Sequence, residues 1–390
     1  MNNILIVCGR IESAVGQIAY STSELLVNSG KNCYFLGLNS TLNYTRSYFD
    51  YSVNSKTYQL KLLSEKSKDP SCIKRILYKF LHKMLSIVYG DCIYGVKNNK
   101  KRFRNRFNKV LKKLSINKIV SFYMPIDILE LCYDVCSSRN IEFVPFLLDS
   151  VKKDNEKEYD LYFSLTSHIL SLPWVLKDAW FLNKYDSKII SLNLPILPWQ
   201  NKSDKNHIAS KEISFVLFGA LYDDIRNPSV LFDSFLKQKE DFIIKTFCSG
   251  CKKLLLKYQG LMPGKMFVND KVPVDVLHNE ILFTDFVIII GNTVSNQTPS
   301  KIYEIIGSGK PIIYLYQNDN DTALNTVRTY ELSYVLKYSK LLDECEFKKL
   351  FDWCIVNKGK QVQYDDCIRH FPEHSVNNYI KTIYDVLKID

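Results

Sequence analysis

The residues best placed to do chemistry are Gln297-Thr298-Pro299-Ser300-Lys301-Ile302-Tyr303-Glu304. They follow an apolar run, Phe286 to Ile290, and lead through Gly307-Ser308-Gly309-Lys310 into a second one, Ile312 to Tyr316. The pattern predicts a strand, a polar loop, a short helix opened by proline, a glycine stop and another strand. A helix entered this way leaves its first backbone N–H groups unpaired at the carboxyl edge of a parallel sheet, where anions bind. Glu304 shares a helix face with Ser300, one turn on and about 6 Å along the axis. An anion cradle with a carboxylate at that distance suits a diphosphate and the hydroxyls of an attached ribose.

Other motifs point away from competing chemistries. Cys8-Gly9-Arg10-Ile11-Glu12-Ser13-Ala14-Val15-Gly16, after the first apolar run, lacks the G-x-G-x-x-G of a dinucleotide fold. Gly307-Ser308-Gly309-Lys310 resembles the tail of a P-loop, but Pro311 replaces the Ser/Thr and Glu304 stands where the first glycine belongs. Those glycines read better as a helix stop. Cys248-Ser249-Gly250-Cys251 has no proline between its cysteines and no second C-x-x-C elsewhere, so buried structural thiols are expected. His370 and His374 are four apart, but Pro372 breaks the helical face between them, and no metal site is expected. No G-x-S-x-G is present.

At 390 residues the chain exceeds one ordinary core, so two domains are expected. Hydrophobic content is 46%, and 25 Tyr and 22 Phe against 26 Gly plus Pro argue against extensive disorder. No apolar run approaches the roughly 18 residues of a membrane span, and the N-terminal run Ile4–Val7 is too short for a signal peptide. It reads as a first buried strand. Eleven scattered cysteines then imply free thiols in a reducing compartment.

The net charge of +11 is local: residues 56–118 hold 18 Lys/Arg against 3 Asp/Glu, and the remainder is net acidic. Two amphipathic helices are predicted in this segment. One has an apolar stripe of Ile73, Ile76, Leu77, Phe80, Leu81, Met84, Leu85 and Val88; the other has Phe103, Phe107, Val110, Leu111 and Leu114. Basic residues flank both, a composition suited to an anionic membrane surface and equally to stripes that face the core with solvated charges. No nucleic-acid-binding module is recognisable.

Strands and helices alternate nearly throughout, which predicts parallel sheets covered on both faces. Predicted strands in the first half are Ile4–Val7, Cys33–Leu38, Lys118–Phe122, Glu142–Leu148, His168–Leu172 and Lys188–Leu192, with helices at Ala19–Ser29, Ile126–Ser138 and Leu176–Lys184. The polar, proline-interrupted stretch from Leu197 to Asn206 is expected to be a linker. Alternation restarts at Ile213 and ends in an amphipathic helix, Ser375–Leu387. The domains are therefore 1–200, with the basic insertion at about 56–118, and 211–370, followed by a C-terminal segment 371–390.

Two α/β halves, a central linker and a final amphipathic helix resemble the two-Rossmann-domain (GT-B) glycosyltransferases. The likeness is densest over residues 213–318. Phe218-Gly219-Ala220 with Ile225-Arg226-Asn227-Pro228 resembles the first strand and loop of the donor domain, and Lys271-Val272-Pro273 resembles the base-side loop. Pro299-Ser300-Lys301-Ile302-Tyr303-Glu304 with Gly309-Lys310-Pro311 is similar to the signature of glycosyltransferase family 4 and of capsule and O-antigen transferases. The resemblance implies two Rossmann-like domains facing across a cleft, with the last helix packing back on the first. It also implies a donor site of Gly219, Arg226, Val272, Asn296, Gln297, Thr298, Pro299, Ser300, Lys301 and Glu304, with Ser300 on phosphate and Glu304 on ribose. The expected donor is a UDP-linked hexose, with no metal and no cofactor. The expected acceptor is a lipid-linked glycan at the cytoplasmic face of a membrane, docked through residues about 72–114, with no nucleic acid involved.

One position departs from the pattern. Retaining members carry a second Glu eight positions before the ribose Glu, and here that position is Asn296. If the course inverts, a base from the first domain is required, and Glu12 and Asp149, at strand ends, are the candidates. Two alternatives share the architecture: a nucleotide-sugar epimerase and a non-catalytic nucleotide-sugar-binding relative.

Overall fold

A computed structural model describes residues 3–9, 14–37, 100–123, 126–148, 151, 153–175, 179–199, 211–270, 272–293, 300–338 and 343–388. These divide into two compact units, Met1–Asn193 with Ile380–Asp390, and Leu194–Tyr379. Each contains one six-stranded, wholly parallel sheet.

In the first unit the strands are β1 (Asn3–Cys8), β2 (Asn32–Gly37), β3 (Lys118–Tyr123), β4 (Glu142–Leu147), β5 (Ile169–Ser171) and β6 (Ile189–Ser191), ordered β2-β1-β3-β4-β5-β6. Ile4 to Cys8 are wholly buried, as a strand covered on both faces must be. The helices are α1 (Ala14–Asn28), α2 (Lys100–Leu114), α3 (Ile126–Ser137), α4 (Glu156–Phe163) and α5 (Ala179–Tyr185). Helix α1 begins at Ala14, earlier than the predicted Ala19. Val15, Ala19 and Tyr20 are buried, and that packing outweighs the roughly 1 kcal/mol that Gly16 costs a helix. The helix stops at Gly30, whose φ of +85° only glycine adopts easily. Helix α4 was not predicted. Tyr159, Tyr162 and Phe163 pack inward from it, with Phe163 edge-on to both Phe181 and Tyr185.

Helix α2 settles one of the two readings of the basic segment. Phe107, Val110, Leu111 and Leu114 are buried in the first unit, where α2 packs against α3, while Arg104, Lys112 and Lys113 are exposed. The apolar stripe expected on a membrane surface is instead part of the core, and each such side chain stabilises the fold by about 1.5–3 kcal/mol. The other basic helix, Ile73 to Val88, lies outside the described residues.

The second unit contains β7 (Ile213–Ala220), α6 (Ser229–Leu236), β8 (Phe242–Ser249), α7 (Lys252–Leu261), β9 (Met266–Asn269), α8 (Val274–Leu282), β10 (Phe286–Ile290), α9 (Lys301–Ser308), β11 (Ile312–Tyr316), α10 (Leu324–Thr329), β12 (Ser333–Lys337), α11 (Glu344–Asn357), α12 (Tyr364–His370) and the first turn of α13 (Val376–Leu387). Its strand order, β12-β11-β10-β7-β8-β9, is that of a Rossmann sheet. An aromatic cluster of Phe215, Phe235, Phe286 and Phe351 fills one side of the sheet, with ring centroids 5.2–5.8 Å apart. Leu194 and Ile196 are buried here, and the Ile196 N–H donates to the His374 carbonyl at 2.8 Å. The chain from Leu194 to Trp199, whose end was expected to open the linker, is thus built into this unit; residues 200–210 lie outside the described residues. The last turns of α13 belong to the first unit. Lys118 Nζ there donates to the Leu387 carbonyl, and Lys31 Nζ lies 4.9 Å from the centre of the Tyr384 ring.

Candidate functional site

In the second sheet the strand order reverses between β7 and β10, and ligands of such sheets bind beyond the carboxyl ends at that point. Strand β7 ends in Phe218-Gly219-Ala220, with Gly219 at φ +109°. Lys301 Nζ lies only 2.1 Å from where a Cβ on Gly219 would stand, and 4.5 Å from the centre of the Phe218 ring. Glycine is therefore favoured by its backbone angle, and the flexible end of Lys301 occupies the space its missing side chain leaves.

The loop after β7 carries Arg226. Its N–H donates to the Tyr222 carbonyl at 2.9 Å, and its Nε donates to Asn292 Oδ1 at 2.6 Å. Asn292 follows β10 and is only 1% exposed. Gln317, after β11, donates to the carbonyls of Ile225 and Gly291 at 2.6 and 2.7 Å. Loops from three adjacent strands are thereby tied around one guanidinium. Burial lowers the pKa of Arg226, while Tyr314, Tyr222 and Asp321 act the other way; a guanidinium remains charged in any protein environment. Behind it, the Tyr314 hydroxyl donates to Asp321 Oδ2 at 2.6 Å, and both lie 2.8 Å from where a Cβ on Gly291 would be. A partly desolvated cation at a strand end is a strong partner for an anion, because water screens it less.

Helix α9 begins after Ser300 and ends at Gly309, which has φ +72° and leaves room for the Val362 carbonyl 2.1 Å from its missing Cβ. The glycines thus end the helix, as their sequence suggested. The Ser300 side chain makes no capping bond. Glu304, in the first turn, has its Oε1 2.6 Å from His278 Nε2, and the two side chains are 36% and 32% exposed. His278 sits on α8 and stacks on Trp199, with centroids 3.9 Å apart and planes at 24°.

The structure thus brings Gly219 and Lys301 together, ties Arg226 to Asn292, and pairs Glu304 with His278. Val272 is half-buried just before α8, one residue ahead of its N-cap Pro273. Glu12, Asp149, Asn296, Gln297, Thr298 and Pro299 lie outside the described residues. Sequence reasoning missed Asn292 as a partner for Arg226, and it missed His278 and Trp199. Asn292 carried a signal, an amide at the end of a buried strand. His278 and Trp199 meet only through the fold.

Cys248 is buried, whereas Cys251, expected to be buried with it, is only half-buried. Burial pushes the thiols of Cys248 and Cys251 up to about 12 and about 11, so both stay protonated near neutrality. Their Sγ atoms donate to the Leu217 carbonyl and to Asp223 Oδ1. His374 is buried against Tyr303, whereas His370 is exposed and bonds to the Asp366 carbonyl. Among the described residues no three His, Cys, Asp or Glu are grouped to hold a metal ion, and no helix is long and apolar enough to cross a membrane.

No protein-family model matches the chain, and no curated protein matches its sequence. Solved structures do match along its full length. A glycosyltransferase from Rickettsia africae is similar at 12% identity over 100% of both chains, with a TM-score of 0.64. HepE from Anabaena, solved in complex with UDP and glucose, is similar at 9% identity over 100% of both chains, TM-score 0.64. The UDP-GlcNAc 2-epimerase of Neisseria meningitidis, bound to UDP-GlcNAc, is similar at 10% identity over 99% of both chains, TM-score 0.56. At these identities the likeness concerns architecture: the chain has the fold of two Rossmann-like domains found in the GT-B glycosyltransferases.

Proposed function

We propose that the chain is a glycosyltransferase that moves a hexose from a UDP-linked donor to a lipid-linked glycan in cell-surface polysaccharide synthesis. The observation that carries this reading is the Arg226–Asn292 bond across the switch point, at the strand end where Lys301 lies against Gly219. The cations Arg226 and Lys301 and the N–H groups opening α9 bind the diphosphate. When the anomeric carbon leaves it, negative charge grows on the diphosphate oxygen, and groups already oriented there stabilise that charge without reorganising. These side chains neutralise the leaving group without a metal ion. Glu304 accepts from ribose hydroxyls, Val272 borders the base, and the residues from Asn296 to Ser300 enclose the phosphate and sugar. Glu12 and Asp149 are the candidate bases if the course inverts.

The test is turnover with a panel of UDP, GDP and CMP sugars. Arg226→Ala and Glu304→Ala are expected to lower kcat/KM at least about 100-fold while the circular dichroism spectrum stays near wild type; Arg226→Ala also costs about 1–3 kcal/mol of stability, because it breaks the bond to the buried Asn292. A wild-type rate in either variant removes the assignment. The similar epimerase supplies a second reading, which gains if donor incubated alone yields its epimer.

We assign the basic segment, residues about 72–114, to electrostatic attachment at the inner face of a membrane. With the α2 stripe buried, its contribution is charge alone, at about 1 kcal/mol per basic residue near an anionic surface. Binding to vesicles containing phosphatidylserine should therefore be reversed by salt; salt-resistant binding or no binding argues against it.

A further inference from the structure

We infer that His278 is a positioning residue that gives the site its preference for ribose over 2′-deoxyribose, resting on the reading that Glu304 binds the nucleotide's sugar. A glutamate at a helix start has three rotatable side-chain bonds, and ordering it on ligand binding costs about 1.5–2 kcal/mol. Here the ordering is already present. His278 Nε2 donates to Oε1 at 2.6 Å, which fixes the carboxylate plane. A carboxylate has about four lone-pair sites. One is taken by His278, and those on Oε2 stay available to two neighbouring hydroxyls.

The imidazole is itself held. Trp199 stacks on it at 3.9 Å, at the end of a strap anchored upstream by two bonds to His374. Its Nδ1 meets the Leu194 carbonyl at 2.7 Å, and its own carbonyl accepts from Ile196 N–H at 2.8 Å. The strap, His278 and Glu304 therefore form one chain of supports from Leu194 to the carboxylate. A fixed carboxylate rewards two correctly spaced hydroxyls. A loose one can turn to satisfy itself with one hydroxyl or with water, so the penalty for a missing 2′-hydroxyl shrinks.

The experiment is calorimetric titration of the full chain with UDP and 2′-deoxy-UDP, with the GDP pair run in parallel. Wild type should prefer the ribonucleotide by roughly tenfold or more, since an unpaired charged acceptor costs upward of a kilocalorie. His278→Ala should weaken ribonucleotide binding several-fold and bring the two affinities close together. His278→Gln, whose amide reaches the Nε2 position, should restore most of the preference. Turnover should show the loss in KM with kcat little changed. An unchanged preference in His278→Ala, or tighter ribonucleotide binding from it, overturns the inference; the second result would make His278 a competitor for the carboxylate. A Glu304→Ala variant separates the two levels. If it too retains wild-type affinity and preference, the nucleotide does not use this carboxylate, and the reading beneath the inference falls with it.

Discussion

The two units each have a six-stranded parallel sheet, of different strand order, and differ in what is described at its carboxyl edge. In the first, the strand order changes between β1 and β3, and β1 ends at Cys8, a buried thiol. Helix α2 stabilises this unit through apolar burial, with Phe107, Val110, Leu111 and Leu114 in the core. In the second, the corresponding reversal carries a half-buried guanidinium, its buried amide partner, and a lysine in the space of an absent side chain. Buried polar groups cost free energy unless bonded. A fold concentrates them only where their geometry is fixed by several loops at once, and here three strands contribute. Among the described residues, sheet topology offers a place for a ligand in both units, and the second unit adds to it a set of bonded, partly desolvated polar groups.

Substitutions can pull that contrast apart. The largest effect on stability is expected in the first unit. Phe107→Ala should cost about 3–5 kcal/mol by emptying a core position, seen as a lower denaturation midpoint, while nucleotide affinity of the folded protein stays at wild type. Asn292→Ala is the counterpart in the second unit. It removes the partner of Arg226 Nε and should cost about 1–3 kcal/mol, but with a clear drop in nucleotide affinity by calorimetry. If Phe107→Ala weakens nucleotide binding as much as Asn292→Ala does, the division of labour is wrong.

The smallest expected effect is a pH dependence within the second unit. Burial depresses the pKa of His374 below its ordinary 6.5, against the opposing pulls of the Leu194 carbonyl and Glu373. The folded state therefore keeps the ring neutral where the unfolded chain takes up a proton. This contribution is fully present above about pH 6.5 and is lost as pH falls below that value, with a slope of at most about 1.4 kcal/mol per pH unit. Melting curves taken downward from neutral pH should show it, and His374→Gln should flatten it. An unchanged slope in that variant would trace the pH dependence to other groups.

Much of the architecture was legible because apolar runs report burial directly. Phe286–Ile290 and Ile312–Tyr316 were read to the residue, since a strand covered on both faces has no polar positions to confuse its ends. Helix α4 was missed although Tyr159, Tyr162 and Phe163 carry the spacing of a buried face. In the candidate site, Lys301 and Glu304 stood out from the strand–loop–helix pattern and Gly219 and Arg226 from the family resemblance; the structure sets Lys301 against Gly219, Arg226 on Asn292 and Glu304 on His278. Asn292 requires knowing that β7 and β10 are neighbours, which is a property of strand order. Trp199 and His278 are 79 positions apart by number and meet through packing alone, so no local pattern announces them.

One feature of chain connectivity bears on how the molecule is made. Ile380–Asp390 belongs with Met1–Asn193, while Leu194–Tyr379 is continuous. The polypeptide crosses between the units twice, so a single nick cannot release either one whole. During synthesis from the amino end, every residue of the second unit is in place before the first receives its closing segment. Lys118 must wait through that interval for the Leu387 carbonyl it finally binds.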